Sequence, residues 1–260
     1  MKSLSIALTV SALIVTTPLF AQNDTTKKQK PAAPKAPAAK LPAQAPDVAA
    51  PKVTADGQPN AGFIKSHESF VATAKKGEAQ LVFLGDSITA GWGRQSNIWN
   101  AAFGKYKPAN FGIGGDRTQH VLWRIQNGEL DGIKPKAAVI MIGTNNSGTD
   151  PADGTARGIQ KIIATIREKL PNTKILLLAV FPRGEKPTNN PGREKNNQVN
   201  AIIAKYADGK HVQFLDIGPK FLQADGTLTK EIMPDLLHLS AAGYQIWADA
   251  ITPKLAELMN

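Results

Sequence analysis

Five short apolar runs, rich in β-branched residues, alternate with helix-forming segments over most of this 260-residue chain. The runs cover residues 80–84, 108–113, 137–142, 174–180 and 212–215. Because they are apolar on consecutive residues, they are typical of strands covered on both faces. Apolar residues recur at helical spacing over residues 117–126, 155–170, 194–206 and 240–258. This alternation predicts an α/β fold, a three-layer α/β/α sandwich around a five-stranded parallel sheet.

The first 21 residues are organised differently. Lys2 precedes an apolar run over residues 6–15, and small residues lead to Ala21, as in a secretory signal peptide. The run is too short for a membrane span. We therefore predict export to the periplasm or the extracellular space with cleavage after Ala21, and an uncleaved N-terminal anchor as the alternative. No second apolar run approaches spanning length, so the mature protein is expected to be soluble.

Residues 22–60 are rich in Ala, Pro and Lys and contain almost nothing that could build a core. We predict a disordered tether here, followed by one domain over residues 61–260. Six lysines against three aspartates give the tether +3 of the total net charge of +10. No basic helix or zinc-finger spacing accompanies this charge, so nucleic-acid binding is not expected. The absence of cysteine excludes a disulfide scaffold and a thiolate zinc site.

Polar residues follow four of the predicted strands. In a parallel sheet, ligands bind outside the carboxyl ends of the strands, so these turns are expected to converge on one edge. The turns are Gly-Asp-Ser at 85–87, Gly-Ile-Gly-Gly-Asp at 112–116, Gly-Thr-Asn-Asn at 143–146 and Phe-Pro-Arg-Gly at 181–184. They bring together a hydroxyl, exposed backbone N–H groups, an amide and a cation.

A serine at this edge needs a base before it can act as a nucleophile, and histidine is suited to that role near neutral pH. Of the four histidines, His238 follows Asp235 by three residues in the loop before the last helix. That spacing lets the carboxylate hold one ring nitrogen while the other faces Ser87; His120 is the competing base. Singly, these motifs are also typical of a capped turn or a partial metal site. Their occurrence together, each at the carboxyl end of a predicted strand or in the final loop, favours a catalytic site.

Four segments together resemble the SGNH superfamily of GDSL esterases and lipases, and within it the catalytic subunits of platelet-activating-factor acetylhydrolase Ib. They are GDSIT (85–89), NFGIGGDRTQHVLWRIQNGELDGIKPKAAVIMIGTNN (110–146), FPRGEKP (181–187) and DLLHLS (235–240). The resemblance implies a flavodoxin-like SGNH hydrolase fold. It also implies acyl transfer to water through an acyl-serine, with no metal and no organic cofactor.

The resemblance assigns roles to individual residues. It makes Ser87 the nucleophile, His238 the general base and acid, and Asp235 the residue that orients the imidazole. It places the oxyanion hole at the backbone N–H groups of Ser87 and Gly115 and at the side-chain amide of Asn145. Ser87 is also expected to cap a helix. We expect Asp86, which precedes it, to hold the turn and to have no direct catalytic role.

The substrate is less closely defined. The resemblance places Ile88, Thr144 and Leu237 around a small acyl pocket, which favours acetyl esters. Export favours acetylated glycans as the natural substrate, and a lysophospholipase is the alternative within the enzyme class. A non-catalytic envelope-binding protein is the alternative outside it. The family's subunits are catalytic dimers, so a homodimer is the assembly that the resemblance implies.

Overall fold

The computed structural model of the protein describes residues 43–260. The predicted signal peptide over residues 1–21 and the first half of the predicted tether lie outside the described residues. Between residues 43 and 260, no helix is both long enough and apolar enough to cross a membrane.

Five parallel strands form one sheet in the order β2-β1-β3-β4-β5. They are β1 (Leu81–Gly85), β2 (Pro108–Gly112), β3 (Ala137–Met141), β4 (Lys174–Leu178) and β5 (Val212–Leu215). Every residue of β1 and β3 is buried, because helices cover both faces of the central strands. The prediction of five parallel strands is confirmed, and each predicted boundary lies within two residues of the observed one.

Helices cover both faces of this sheet. They are α1 (Ala61–Lys75), α2 (Ser87–Ala90), α3 (Ser96–Phe103), α4 (Thr118–Gln126), α5 (Ala152–Lys169), α6 (Pro191–Ile203) and α7 (Ala241–Met259). Helices α1, α4, α5 and α6 pack on one face in a core rich in Ile and Val. Helices α3 and α7 cover the other face in a core rich in aromatic residues. The predicted three-layer sandwich is therefore confirmed, with the flavodoxin-like strand order.

Two of these helices, α1 and α3, were absent from the sequence prediction. The start of α1 is fixed by Asn60, whose side chain accepts a hydrogen bond from the N–H of Phe63 at 2.9 Å. Its buried residues, Phe63, His67 and Ala74, recur four and seven residues apart. That spacing is a helical signal, although the histidine interrupts its apolar character.

The prediction of a disordered tether does not hold for residues 43–60, which lie against the domain. The carbonyl oxygen of Pro46 accepts a hydrogen bond from the Thr118 hydroxyl at 2.7 Å, and Asp47 pairs with Arg157 at 3.2 Å. Composition gives no sign of these contacts because they are made by a backbone oxygen and a single charge rather than by apolar side chains. The ordered domain thus begins before residue 61.

The carboxyl ends of the strands lie at one edge of the sheet, as predicted. At this edge β2 ends directly beneath α2, where a side chain at Gly112 would clash with the backbone of Ala90 and Asp86. Glycine permits this close approach because it has no Cβ. The turns that follow β1 and β2 are thereby held side by side.

Candidate active site

Ser87 is the first residue of α2, directly after β1. The cap of this short helix is Asp86 and not Ser87, because the Asp86 carboxylate accepts the N–H of Ile88 at 2.9 Å. The expectation that Ser87 itself caps the helix is therefore wrong. With its hydroxyl free of capping, Ser87 lies half-buried at the edge of the sheet.

His238 and Asp235 lie in line with the Ser87 hydroxyl. The Nε2 atom of His238 lies 2.8 Å from Oγ of Ser87, and Nδ1 lies 2.6 Å from a carboxylate oxygen of Asp235. Because Nδ1 faces a carboxylate, it is the nitrogen that carries the proton in the neutral ring. Nε2 is then left as an acceptor for the serine proton, which is the arrangement of a nucleophile, its base and an orienting acid.

The turn that holds His238 is built around Asp235. The second carboxylate oxygen of Asp235 accepts the N–H groups of Leu237 at 3.1 Å and of His238 at 2.7 Å. Leu236, which lies between Asp235 and Leu237, has a φ of 60°, in the left-handed region. Its carbonyl accepts the N–H of Gly184 at 2.8 Å. One carboxylate thus fixes both the backbone and the ring of the histidine.

The same hydrogen bonds keep Asp235 ionised. Partial burial opposes the charge, but the bonds from the ring and backbone of His238 outweigh it, so the pKa of Asp235 lies below its usual value. Ionised Asp235 can therefore stabilise a positive charge on His238 when the ring takes up a proton.

The two predicted backbone donors belong to Ser87 itself and to the glycine loop next to it. Within residues 43–260, neither the N–H of Ser87 nor that of Gly115 donates a hydrogen bond. A Cβ built on Gly114 would lie 3.9 Å from the Cβ of Ser87, so the glycine loop after β2 runs directly past the serine. Gly115 has a φ of 73°, a conformation that glycine adopts without strain.

The third predicted donor, Asn145, follows β3 in a short 3-10 turn. Its Nδ2 donates to the backbone oxygen of Asp116 at 2.9 Å. The second hydrogen of the same amide has only a long contact of 3.4 Å to Asp86. One hydrogen therefore fixes the amide, and the other has only this long contact among the hydrogen bonds of the described residues.

Asp86 is fully buried beneath this site. Burial is the main cause that raises its pKa to about 7, and Asp116 adds to the rise while the N–H of Ile88 and the nearby His238 oppose it. Burial thus disfavours ionisation of this carboxyl. Its contacts agree with the expected role of holding the turn.

A buried ionic network supports the glycine loop and was missed in the sequence. Asp116 pairs with Arg124 at 2.9 Å and with Lys52 at 2.8 Å, and Arg124 also pairs with Glu129. Burial raises the pKa of Asp116, and the two cations oppose the rise. The signal for this network in the sequence was Arg124, which stands within the apolar Val-Leu-Trp-Arg-Ile stretch of α4. A charge on a buried helix face needs partners of opposite charge.

The competing base, His120, lies away from Ser87 on α4. Its Nδ1 accepts the N–H of Arg117 at 3.1 Å, and its Nε2 contacts the side-chain oxygen of Gln44 at 3.1 Å. Burial lowers the pKa of His120 to about 3, with Lys52 and Arg117 adding to the effect. The ring is therefore a neutral, structural hydrogen-bonding group.

The three residues predicted to line the acyl pocket differ in exposure. Ile88 and Thr144 are both 1% exposed, whereas Leu237 is half-buried. The Thr144 hydroxyl is held by Arg183 and Asn196, each at 3.3 Å. None of the three lines the cavity that Ser87 shares with His238, so an acyl pocket at these residues stays a prediction; Leu237 alone of the three has an accessible side chain.

Comparison with known proteins agrees with this geometry. Residues 83–246 match the model of the GDSL-like Lipase/Acylhydrolase family. The human platelet-activating factor acetylhydrolase IB subunit alpha1 is 41% identical over 210 residues, covering 80% of this chain and 89% of that protein. The rat alpha2 subunit is 41% identical over 197 residues, covering 75% of this chain and 84% of that protein. The chain therefore belongs to the GDSL-like lipase/acylhydrolase family.

The fold is shared with solved members of the family. A GDSL-like lipase from Bacteroides thetaiotaomicron superposes with a TM-score of 0.60 at 22% identity, covering 74% of this chain and 97% of that one. Family membership and the acetylhydrolase relatives together identify the protein as a carboxylester hydrolase.

Proposed function

We propose that the protein is an exported serine esterase that removes short acyl groups, chiefly acetyl, from ester substrates through an acyl-serine intermediate. The observation that carries this proposal is the continuous chain from the Ser87 hydroxyl through His238 to Asp235, with bonds of 2.8 and 2.6 Å. At the Ser87 end of this chain, the backbone N–H groups of Ser87 and Gly115 have no partner within residues 43–260.

In the acylation half of the reaction, Nε2 of His238 takes the proton of the Ser87 hydroxyl as Oγ attacks the ester carbonyl. The carbonyl oxygen becomes an oxyanion that receives hydrogen bonds from the N–H groups of Ser87 and Gly115 and from Asn145. When the tetrahedral intermediate collapses, the ester C–O bond breaks and the imidazolium returns its proton to the departing alcohol. Ser87 then carries the acyl group.

Deacylation repeats these steps with water. His238 takes a proton from the water molecule, the resulting hydroxide attacks the acyl carbon, and the proton is returned to Oγ of Ser87 as the acid leaves. Asp235 stays ionised throughout, and its negative charge stabilises the imidazolium in both halves.

The burial of the residues predicted to line the acyl pocket supports a small acyl group. Ile88 and Thr144 are almost fully buried, and their backbone and hydroxyl groups are fixed by bonds to Tyr244, Arg183 and Asn196. A long acyl chain would have to displace packed side chains there, at a cost in free energy. Leu237 is the residue of the three that can adjust to a slightly longer chain.

The leaving-group side supports a polar alcohol. The alcohol oxygen must lie beside Nε2 of His238 to receive its proton. The cavity that His238 shares with Ser87 is small, about 60 Å³, and is also lined by the polar side chains of Arg94 and Gln95 and by Gly91, Leu239 and Tyr244. Among the described residues, Val48 is the one large apolar side chain that is exposed. These features favour an acetylated sugar over a lipid interface.

Location and assembly complete the proposal. The sequence of residues 1–21 supports export, and acetylated glycans of the cell envelope or its surroundings would then be accessible substrates. The family relationship supports a homodimer, which light scattering of the purified protein would test directly.

The deciding experiment measures hydrolysis of p-nitrophenyl acetate, butyrate and octanoate by the full chain and by Ser87→Ala. Ser69→Ala serves as the matched control, since Ser69 is exposed on α1. We expect turnover that falls steeply with acyl length, is lost in Ser87→Ala and is unchanged in Ser69→Ala. Equal rates on octanoate would exclude the small pocket, and no turnover by a folded wild type would favour the binding-protein alternative.

The alcohol is tested separately by acetate release. Acetylated xylo-oligosaccharides and an acetyl glycerophospholipid would be compared at equal ester concentration. Faster release from the oligosaccharide is expected, and preference for the phospholipid would overturn the proposed glycan substrate without touching the esterase assignment.

A further inference from the structure

Residues 44–52, here called the strap, lie along the loop that follows β2. The Gln44 side chain contacts His120 at 3.1 Å, and the N–H of Ala50 donates to the carbonyl of Gln119 at 3.2 Å. These bonds add to the contact between Pro46 and Thr118. The strap thus borders the whole stretch from the glycine loop to the first turn of α4.

The last residue of the strap, Lys52, contacts the glycine loop itself. Its Nζ donates to the carbonyl oxygen of Gly114 at 2.6 Å and pairs with the Asp116 carboxylate at 2.8 Å. The Lys52 side chain is 18% exposed and that of Asp116 is fully buried. Solvent therefore screens the ion pair with Asp116 less than it would screen a pair on an open surface, whereas the bond to Gly114 lies on the exposed part of the loop.

The Gly114 carbonyl and the Gly115 N–H belong to the same peptide unit. A trans peptide is planar, with its oxygen and its hydrogen pointing in opposite directions, so fixing the oxygen also fixes the direction of the N–H. An ammonium group on the oxygen also draws electron density toward it and makes the N–H a stronger donor. The N–H fixed in this way is the backbone donor of the glycine loop that lies beside Ser87.

We propose that Lys52 is a positioning residue that orients and polarises the Gly115 N–H for the oxyanion. This inference rests on the proposed esterase function and extends the active site to a segment that precedes α1. Lys52 also holds Asp116, whose backbone oxygen fixes Asn145, so two of the three oxyanion donors depend on it.

The test compares Lys52→Met, Lys52→Arg and Lys65→Met in the full chain. Methionine is unbranched like lysine, keeps most of its length and removes the charge, whereas arginine keeps the charge. Lys65 is an exposed lysine on α1 that serves as control. The measurements are kcat and KM for p-nitrophenyl acetate, the inhibition constant of methylboronic acid and the thermal midpoint. A boronic acid bonded to serine mimics the tetrahedral oxyanion, whereas KM reflects the neutral ester.

We expect kcat of Lys52→Met to fall about 10- to 100-fold, less than when a donor is deleted outright. Methylboronic acid should bind more weakly by a similar factor, KM should change less than about threefold, and Lys52→Arg should recover much of kcat. Lys65→Met should match the wild type. If Lys52→Met is too unstable to purify, Lys52→Gln takes its place with the same expectations.

An unchanged kcat and boronic acid affinity in a folded Lys52→Met would overturn the proposal. So would a loss seen in KM alone, or a loss of activity that follows only the thermal midpoint and is not recovered by arginine. Failure of the esterase proposal itself is distinguishable, because the wild type would then show no turnover that depends on Ser87.

Discussion

The side-chain amide of Asn145 donates to the backbone oxygen of Asp116 across 2.9 Å. This bond joins the turn after β3 to the glycine loop after β2, which are separated by β1 in the sheet. The two loops that flank Ser87 are thus fixed to each other above the strand that carries it. A preorganised site of this kind needs no rearrangement when negative charge develops.

Asn145→Ala should lower kcat by about 100- to 1,000-fold with little change in KM, because the amide is proposed to contact the oxyanion and not the neutral ester. Steady-state kinetics on p-nitrophenyl acetate measure both constants. Asn197→Ala, on the exposed side of α6, is the matched control. A rise in KM at constant kcat would show that Asn145 binds the ground state instead.

His238→Ala should lower kcat by roughly four to six orders of magnitude, as removal of the base does in other serine hydrolases. His120→Ala should have a much smaller effect, because its ring bonds to Arg117 and Gln44 and not to the serine. Circular dichroism would establish that both variants fold. If His120→Ala alone abolished turnover, His238 would not be the base.

Asp86→Asn should change how stability depends on pH. The pKa of Asp86 is about 7 in the folded protein, above the ordinary aspartate value of 3.8, so the folded state binds this proton more tightly than the unfolded chain does. The raised pKa of Asp86 therefore destabilises the folded wild type as the pH rises. This loss of stability is absent below pH 4, grows as the pH rises toward 7 and is complete above pH 7. Its upper bound is roughly 4 kcal/mol at 1.36 kcal/mol per pKa unit.

Urea unfolding of the wild type and Asp86→Asn between pH 4 and 8 would measure this linkage. Asparagine cannot ionise, so the stability of the variant relative to the wild type should increase from pH 4 to pH 7. A difference that stays constant across this range would mean that Asp86 is ionised in the folded protein throughout.

Arg124→Met should destabilise the fold by about 3–5 kcal/mol, because it leaves Asp116 and Glu129 buried without their shared cation. Arg157→Met is the matched control: its pairs with Asp47 and Asp153 are formed by a side chain that is 51% exposed. It should cost at most about 1 kcal/mol. Chemical denaturation at pH 7 compares the two, and equal losses would contradict a special role for the buried network.

The sheet and the serine, histidine and aspartate could be predicted because they depend on local sequence. A strand that is apolar on consecutive residues is favourable only where both of its faces are covered. The spacing from Asp235 to His238 is short enough to define a single turn. The α1 helix was missed because His67 interrupts its apolar face.

Other features depend on contacts between distant residues. Lys52 and Asp116 are separated by five elements, α1, β1, α2, α3 and β2, and nothing in an Ala/Pro/Lys-rich segment distinguishes a bonded lysine from a solvated one. The ionisation of Asp86 likewise follows from its burial, which only the assembled fold determines.

The hydrogen bond between Ser87 and His238 joins residues 151 positions apart. A chain that is still being synthesised therefore carries its nucleophile long before it carries its base. Synthesis must have passed His238, and the loop before α7 must dock on the sheet, before the hydroxyl can be activated. A nascent chain that ends before His238 thus holds a serine without its base, and ester hydrolysis reports that these two distant parts of the domain have come together.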